Sequence, residues 1–344
     1  MPPDALTPHD PRVTHHYTTI PSTSLTYHYL LANPDSASFP QPTATVLLLH
    51  GWPDLSLGWR FQVPFLLSLG LRVIIPDMLG YGRTSAPSSP SEYSLKNLSS
   101  HMAHIIREVD PSAGPVLLGT HDWGAFLGWR LAIYYPELIK GIFAFCVPYS
   151  PPLVEDQVTS LEEHVRRHPE LGYQLQNAGG EVEKAVVDGA RSKERLRGWL
   201  NAMFGGLTKE GVMAFDPWKG LDVTKLEEVG ESPLVSEEIM DFYFEEYSRN
   251  GIRGPMNWYR TREINLEDES PLARQYAYWQ FQVPAMIVMV GHDPALPPEL
   301  TDGMEKYFVK GLRKEVISEA SHWVLIHTPD EVNKLVGEFL VQFL

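Results

Sequence analysis

Short apolar runs alternate with amphipathic segments along the first 150 residues of the chain. The runs lie at 44–50, 72–76, 115–119 and 139–147. They are apolar on both faces, a pattern typical of central strands in a mostly parallel sheet. Strict alternation at 16–20 and 24–31 predicts an antiparallel hairpin ahead of them. Helical periodicity between the runs predicts an α/β core with helices on both faces of the sheet.

A long segment without buried runs interrupts this pattern. From 150 to 265 the chain is charged and helical in its periodicity, and buried runs resume at 283–290 and 313–318. A closing helix is predicted from about 330 to 344. The pattern predicts a core made of residues 1–149 and 266–344. A helical cap, residues 150–265, is inserted at the carboxyl edge of the strands, where ligands bind in open α/β sheets.

Composition limits the partners and the compartment. The 344 residues carry 28 basic and 43 acidic side chains, a formal charge of -15, which disfavours a nucleic-acid partner. The single cysteine, Cys146, excludes a disulfide framework and a cysteine-built metal site. We expect no secretory signal, because the first residues lack its pattern. We also expect no membrane span, because the apolar runs are too short for one. We therefore expect a cytoplasmic protein of undetermined oligomeric state, with residues 1–15 loosely ordered.

The run that ends at Gly119 passes into a helix directly after Gly124. A strand-to-helix turn this abrupt strains the backbone of the residue at its tip, so small residues, here Thr120 and Gly124, are needed on either side. The residue at the tip is Asp122. Alone, such an aspartate is more often a helix cap. In a nucleophile elbow it would be a carboxylate nucleophile where an esterase carries serine.

Two further polar residues follow core strands later in the chain. Asp293 comes after the run at 283–290, and His322 comes after the run at 313–318. Each alone is more often a turn or structural residue. Together with Asp122 they keep the order nucleophile, acid, histidine and predict convergence at one edge of the sheet. The His-Gly-Trp-Pro sequence at 50–53 is suited to aim the Trp52 backbone N–H inward, and we expect a cis Trp52–Pro53 bond.

With these features the chain, from about residue 16 to its end, resembles the soluble epoxide hydrolases of the α/β hydrolase fold. The shared motifs are His-Gly-Trp-Pro at 50–53, His-Asp-Trp-Gly at 121–124, Asn-Trp-Tyr-Arg at 257–260, Gly-His-Asp-Pro at 291–294 and Ser-His-Trp at 321–323. The first two also occur in dehalogenases. The resemblance implies that Tyr259, and Tyr173 from a shorter match, reach from the cap to the epoxide oxygen. Tyr243 and Tyr247 are nearby tyrosines that could be confused with them.

The resemblance implies a reaction in two steps. Asp122 attacks an epoxide carbon and forms an alkyl ester, and water activated by the His322–Asp293 pair then hydrolyses that ester to give a vicinal diol. The backbone N–H groups of Trp52 and Trp123 would hold the oxyanion. No metal or organic cofactor is required.

The substrate is expected to be a small apolar epoxide whose identity the sequence leaves open. The side chains expected to line its cleft are His50, Trp52, Trp123 and Trp323. Two alternatives remain: a haloalkane or haloacid dehalogenase, in which an indole such as that of Trp123 binds the halide, and a non-catalytic ligand-binding protein of the same fold.

Overall fold

The computed structural model describes residues 3–109, 114–152, 159–187, 189–275 and 279–344. The chain divides into two compact units. Unit 1 comprises Met1–Met78, Leu95–Pro152 and Leu272–Leu344, and unit 2 comprises Leu79–Ser94 and Leu153–Pro271. Within the described ranges, no helix combines the length and the apolar character needed to cross a bilayer.

Unit 1 is built on a single large sheet. Its strands, numbered in chain order, are β1 (Val13–Thr19), β2 (Thr26–Ala32), β3 (Ala44–Leu49), β4 (Leu71–Pro76), β5 (Val116–His121), β6 (Ile139–Phe145), β9 (Ala285–His292) and β10 (Leu312–Ser321). In the described part of the chain these eight strands lie in the order β1-β2-β4-β3-β5-β6-β9-β10. β2 runs antiparallel to both of its neighbours, and the pairs from β4 to β10 are parallel. The predicted mostly parallel α/β sheet and its leading hairpin are confirmed.

The apolar runs form the interior of this sheet. Val46, Leu47 and Leu48 of β3 are 0% exposed, and all six residues of β5 are buried. The register pairs Val46 with Leu117 and Leu47 with Leu118, so the two strands end side by side. Because β3, β5, β9 and β10 run in the same direction, the residues that follow them emerge at one edge of the sheet.

Helices cover the sheet of unit 1. They are α1 (Gln62–Ser68), α2 (Leu95–Val109), α3 (Trp123–Tyr134), α11 (Val324–His327) and α12 (Pro329–Leu340). Helix α2 packs against α3, and α12 packs against both α1 and α11. The apolar positions of α12, among them Val332 and Val336, are fully buried, as its helical periodicity requires.

The expectation of a loosely ordered N-terminus is wrong for residues 3–12. Leu6 is 2% exposed, and its backbone N–H donates to the Arg60 carbonyl at 2.8 Å. The Arg12 guanidinium binds the Asp10 carboxylate at 2.7 Å and the Asp4 carboxylate at 2.6 Å. One apolar anchor and one arginine therefore fix this segment, although its composition resembles that of a flexible tail.

Unit 2 is mainly helical. Its helices are α4 (Leu161–Arg167), α5 (Tyr173–Gly179), α6 (Glu181–Val187), α7 (Ser192–Met203), α8 (Glu237–Asn250), α9 (Arg253–Asn257) and α10 (Arg262–Gln275), the last extending into unit 1 by the division above. A small antiparallel hairpin, β7 (Phe215–Asp216) and β8 (Gly220–Leu221), lies between α7 and α8. The periodicity did not predict this hairpin. The Asp216 carboxylate accepts a hydrogen bond from the Trp218 backbone N–H at 2.8 Å, and this bond closes the turn of the hairpin.

The segment Leu79–Ser94 groups with unit 2, whereas from the sequence it is expected in the core. The Trp258 indole N–H donates to the Leu79 carbonyl at 3.0 Å. Gly80 lies so close to Gly254 that a Cβ on Gly80 would come within 2.8 Å of the Gly254 Cα. The Tyr81 ring packs against Trp258 at 6.2 Å. These contacts join residues far apart in the chain, and a reading by local pattern does not detect them.

Candidate active site

Asp122 stands at the tip of a strained turn. β5 ends at His121 and α3 begins at Trp123, and Asp122 between them has φ 53° and ψ -125°. A non-glycine residue in this region costs about 1–3 kcal/mol, which the surrounding fold must offset. At Gly124 a Cβ would meet the His50 carbonyl oxygen at 2.6 Å, so a side chain there would push the helix off the sheet. The local geometry is that of the predicted elbow.

The two carboxylate oxygens of Asp122 have different neighbours. The Trp52 backbone N–H donates to Oδ1 at 2.7 Å, and the Trp123 backbone N–H also hydrogen-bonds this carboxyl group. Oδ2 lies 3.6 Å from His322 Nε2. Burial raises the pKa of Asp122 above its ordinary value, while the His322 charge and the two N–H groups oppose that rise. One oxygen is therefore held by the backbone and the other faces the imidazole.

His322 is oriented by Asp293. β9 and β10 are neighbouring parallel strands, and the residues after them bring His322 Nδ1 to 2.6 Å from Asp293 Oδ2. The other Asp293 oxygen accepts from the backbone N–H groups of Ala295 at 3.0 Å and Leu296 at 3.2 Å. The contact with Asp293 keeps the proton on Nδ1 and directs Nε2 towards Asp122.

The charges of this pair shift both pKa values. Burial alone would lower the pKa of His322, but the charge of Asp293 and its hydrogen bond outweigh burial and raise that pKa well above the ordinary histidine value. Burial would raise the pKa of Asp293, yet the His322 charge and the hydrogen bonds it accepts bring it below its usual range. The His322 side chain is 26% exposed, so a water molecule can reach it from solvent.

His50 supports the loop that carries the Trp52 N–H. Its Nδ1–H donates to the Gly51 carbonyl at 2.9 Å, and its Nε2 accepts from the Met78 backbone N–H at 2.9 Å. The ring is 1% exposed, and burial lowers its pKa, which keeps it neutral. The next peptide bond, Trp52–Pro53, is cis, as expected from the sequence.

Two residues to which the sequence analysis assigned no role, His121 and Cys146, contact the backbone of His322. The His121 Nε2–H donates to the His322 carbonyl at 2.9 Å, and the Cys146 thiol lies 3.6 Å from the same oxygen. Burial is the largest cause lowering the pKa of His121 to about 3, so this ring is a neutral donor. The position of His121 at a strand end, next to the elbow, was the signal that could have revealed it.

These residues also allow a test for a metal site. His121, Cys146 and His322 bring one potential ligand atom each to within 4.8 Å of one another. However, His121 Nε2 is engaged by a carbonyl and His322 Nδ1 by Asp293. The arrangement therefore fits hydrogen bonding that holds His322 better than coordination of an ion.

Aromatic residues adjoin Asp122 and His322 in the chain. The Trp323 ring lies 5.9 Å from the His322 ring and 6.3 Å from the His121 ring, measured between centroids. The Trp123 ring packs against Phe126 at 5.7 Å, and the Trp52 residue is 6% exposed. The polar groups of unit 1 are thus set among apolar surfaces.

Within unit 2 the two tyrosines named from the sequence contact each other. Tyr173 is the first residue of α5, and Tyr259 lies in a short 3₁₀ helix after α9. Their ring centroids are 5.8 Å apart at an interplanar angle of 78°. The two alternatives are packed elsewhere: Tyr243 meets Phe204 and Tyr247 meets Trp199, both at 5.3 Å, and both are 1% exposed.

Comparisons with known proteins agree with this geometry. Residues 44–329 match the alpha/beta hydrolase fold family. The chain is 88% identical to an epoxide hydrolase of Neurospora crassa over 346 aligned positions that cover all of both chains. It is 32% identical to the bifunctional epoxide hydrolase 2 of Sus scrofa over 300 residues, 86% of this chain but only about half (51%) of that protein.

Solved structures give the same picture. Epoxide hydrolase A of Mycobacterium thermoresistibile superposes with a TM-score of 0.73 at 26% identity, covering 95% of this chain and 98% of that one. An epoxide hydrolase of Vigna radiata reaches a TM-score of 0.78 at 22% identity, covering 96% and 99%. At 22% identity, the second likeness supports the fold alone.

Proposed function

The chain belongs to the epoxide hydrolases of the α/β hydrolase fold family, and on that premise we propose that it adds water to small apolar epoxides, giving vicinal diols, through an ester on Asp122. The observation that carries this proposal is the asymmetric setting of the Asp122 carboxylate. One oxygen accepts the Trp52 N–H at 2.7 Å and the other lies 3.6 Å from His322.

In the first step Oδ2 of Asp122 attacks an epoxide carbon. This carbon is sp3, so the attack is a displacement that forms the C–O bond of an alkyl ester and breaks one C–O bond of the ring. The electron pair of that bond leaves as an alkoxide. Since Oδ1 is occupied by the Trp52 N–H, Oδ2 is the oxygen available for attack.

The departing oxygen must gain a proton. Resemblance to the family assigns this task to the phenols of Tyr173 and Tyr259, and the 5.8 Å separation of their rings supports their acting as a pair. Negative charge grows on the oxygen only as the ring opens, so the two donors stabilise the transition state more than the substrate.

In the second step water hydrolyses the ester. His322 takes a proton from water, which attacks the Asp122 side-chain carbon, and Asp293 stabilises the imidazolium that forms. The oxyanion develops on Oδ1, where the Trp52 and Trp123 N–H groups receive it. Losing one such donor typically costs about 2.7–4 kcal/mol in the barrier. Collapse breaks the bond between the Asp122 side-chain carbon and Oδ2, and the leaving oxygen takes the proton from the His322 imidazolium, which releases the diol. The proton left on the new carboxyl group restores the phenol that protonated the substrate, and Asp122 is again a carboxylate.

The remaining site residues have supporting roles in this proposal. Both ring nitrogens of His50 are hydrogen-bonded to backbone groups. His50 therefore orders the loop of Trp52, rather than binding the substrate as expected from the sequence. Trp52, Trp123 and Trp323 provide apolar surface for the substrate. The carboxylate and the imidazole supply nucleophile and base, so the proposed reaction needs no metal or organic cofactor. A cytoplasmic location stays a prediction based on the single cysteine.

Isotope labelling tests the ester route. In H2(18)O with enzyme in excess over styrene oxide, a single turnover should give largely unlabelled diol, because the diol oxygen comes from Asp122. After many turnovers, label should be found in the peptide that contains Asp122. A fully labelled diol in the first turnover would show direct attack by water and refute the route.

A further inference from the structure

Arg260, the residue after Tyr259, makes three hydrogen bonds inside unit 2. Its Nε donates to the Ala178 carbonyl at 3.0 Å, its Nη1 to Asn257 Oδ1 at 2.8 Å and its Nη2 to Glu183 Oε2 at 3.0 Å. Its side chain is 18% exposed. Each nitrogen of the guanidinium group is used, and the planar fork fixes the directions of the three bonds.

The bond to Ala178 fixes the end of α5. The last carbonyls of a helix have no partner within the helix, and a cation near them also interacts favourably with the helix dipole. At the other end of α5, the Tyr173 backbone N–H donates to the Pro217 carbonyl at 2.9 Å. The helix that begins with Tyr173 is therefore held at both ends, and Arg260 is one of the two anchors.

The bond to Asn257 fixes the turn that carries Tyr259. Asn257 is 0% exposed, and its side-chain N–H₂ donates to the carbonyls of Pro87 at 3.4 Å and Ser88 at 3.3 Å. The single guanidinium group thus joins the Tyr259 turn, the Tyr173 helix and, through Glu183, helix α6.

We propose that Arg260 is a positioning residue that holds Tyr173 and Tyr259 at the separation needed for both phenols to reach one epoxide oxygen. This inference rests on the proposed function of the two tyrosines. Hydrogen bonds to one atom allow little error in position, and a displacement of about 1 Å can cost about 100-fold in rate. Because Asp122, Asp293 and His322 all lie in unit 1, Arg260 affects ester formation and leaves ester hydrolysis unchanged.

The test compares Arg260→Gln, Arg260→Lys and the matched control Arg253→Gln. Arg253 belongs to the same segment and reaches the same Glu183 carboxylate at 3.5 Å, with a side chain 59% exposed. With enzyme in excess over styrene oxide, rapid quenching and intact-protein mass spectrometry give the rate at which the ester appears and the rate at which it decays. Circular dichroism melting shows that each variant is folded.

Arg260→Gln should form the ester about 10- to 100-fold more slowly and hydrolyse it at the wild-type rate. Arg260→Lys keeps the charge but loses the planar guanidinium group, so its rate of ester formation should lie between those of the wild type and Arg260→Gln. If Arg260→Gln does not fold, Arg260→Lys is used for the test. Arg253→Gln should stay within about twofold for both rates. Normal ester formation in both Arg260 variants, or an equal slowing of both steps, would overturn the proposal.

A second comparison separates this inference from the proposed function. If Tyr259→Phe forms the ester at the wild-type rate, the role of the tyrosine in the proposed function fails, whatever Arg260→Gln does. If Tyr259→Phe is slow and Arg260→Gln is normal, only the positioning role fails. In the Tyr259→Phe background, Arg260→Gln should slow ester formation less than it does in the wild type, because both changes weaken the same contact.

Discussion

His121 Nε2 lies 2.9 Å from the backbone carbonyl oxygen of His322, so the residue before the proposed nucleophile, Asp122, is tied to the proposed base. His121 is the last residue of β5 and His322 directly follows β10. Strands β6 and β9 lie between these two strands in the sheet. Burial is the largest cause lowering the pKa of His121 to about 3, so above that pH the ring is neutral and donates through its Nε2–H.

Replacing His121 should disturb the base without removing it. His121→Phe leaves the part-buried carbonyl of His322 without its nitrogen donor, and we expect a loss of about 0.5–1.5 kcal/mol in the free energy of unfolding. Ester decay in single turnovers should slow while ester formation changes less. His121→Gln, which can still donate, serves as the control and should lie closer to wild type. Equal stability and equal decay rates for wild type and His121→Phe would contradict this role.

Removing the base should trap the intermediate. In His322→Gln the carboxylate of Asp122 can still attack an epoxide, but no group remains to activate water, so the ester should accumulate. Intact-protein mass spectrometry should show an added mass equal to one substrate, located by digestion on the peptide containing Asp122. Adding Asp122→Asn to this variant should abolish the adduct. Absence of an adduct with an epoxide that the wild type turns over would count against the ester.

The two steps should depend differently on pH. Ester formation needs ionised Asp122, whose pKa is raised by burial, so its rate should fall as the pH drops through a value above 3.8. Ester hydrolysis needs unprotonated His322. Burial disfavours its cationic form, but the charge of Asp293 raises the pKa well above 6.5 overall, so hydrolysis should fall as the pH drops through that higher value.

Between these two values the ester should therefore accumulate during turnover. Rates of the two steps measured by rapid quenching across pH provide the check. In Asp293→Asn the hydrolysis limb should move down towards 6.5, because the charge that raises the His322 pKa is gone. A hydrolysis limb below 6.5 in the wild type would contradict the assignment.

The tyrosines distinguish epoxide opening from halide displacement, since a halide leaves without a proton. Tyr259→Phe should lower the rate of ester formation from styrene oxide by about 100-fold, and the double variant with Tyr173→Phe should have no measurable turnover. Tyr243→Phe, a change at a buried tyrosine packed on Phe204, is the control and should remain active. Chloride release from chloroalkanes, unaffected by these changes, would favour a dehalogenase instead.

Much of the fold follows from local pattern, because buried parallel strands must be apolar on both faces. The runs at β3, β5 and β9 can therefore be predicted from the sequence, and so can the turn at Asp122, which needs a small residue at Gly124. Features that depend on contacts between residues far apart in the chain cannot be predicted in this way. The burial of Leu6 requires Arg60, and the grouping of Leu79–Ser94 with unit 2 requires Trp258.

The candidate site divides in the same way. Asp122, Asp293 and His322 each follow a strand of one parallel sheet, and that position alone predicts their convergence. The supporting residues give a weaker signal. His121 and Arg260 belong to the shared motifs, and His121 also lies at a strand end, but their roles depend on which carbonyl each reaches, and the sheet order and the end of α5 decide that.

The backbone N–H of Trp52 on Oδ1 makes the two oxygens of Asp122 chemically distinct. Under the proposed reaction, Oδ2 departs with every diol and the incoming water oxygen takes its place, while Oδ1 is retained. In heavy-oxygen water the protein should thus gain a single label at this residue and then stop, however long it works. Gain of a second label would mean that the carboxyl group rotates between cycles, so that its two oxygens exchange places.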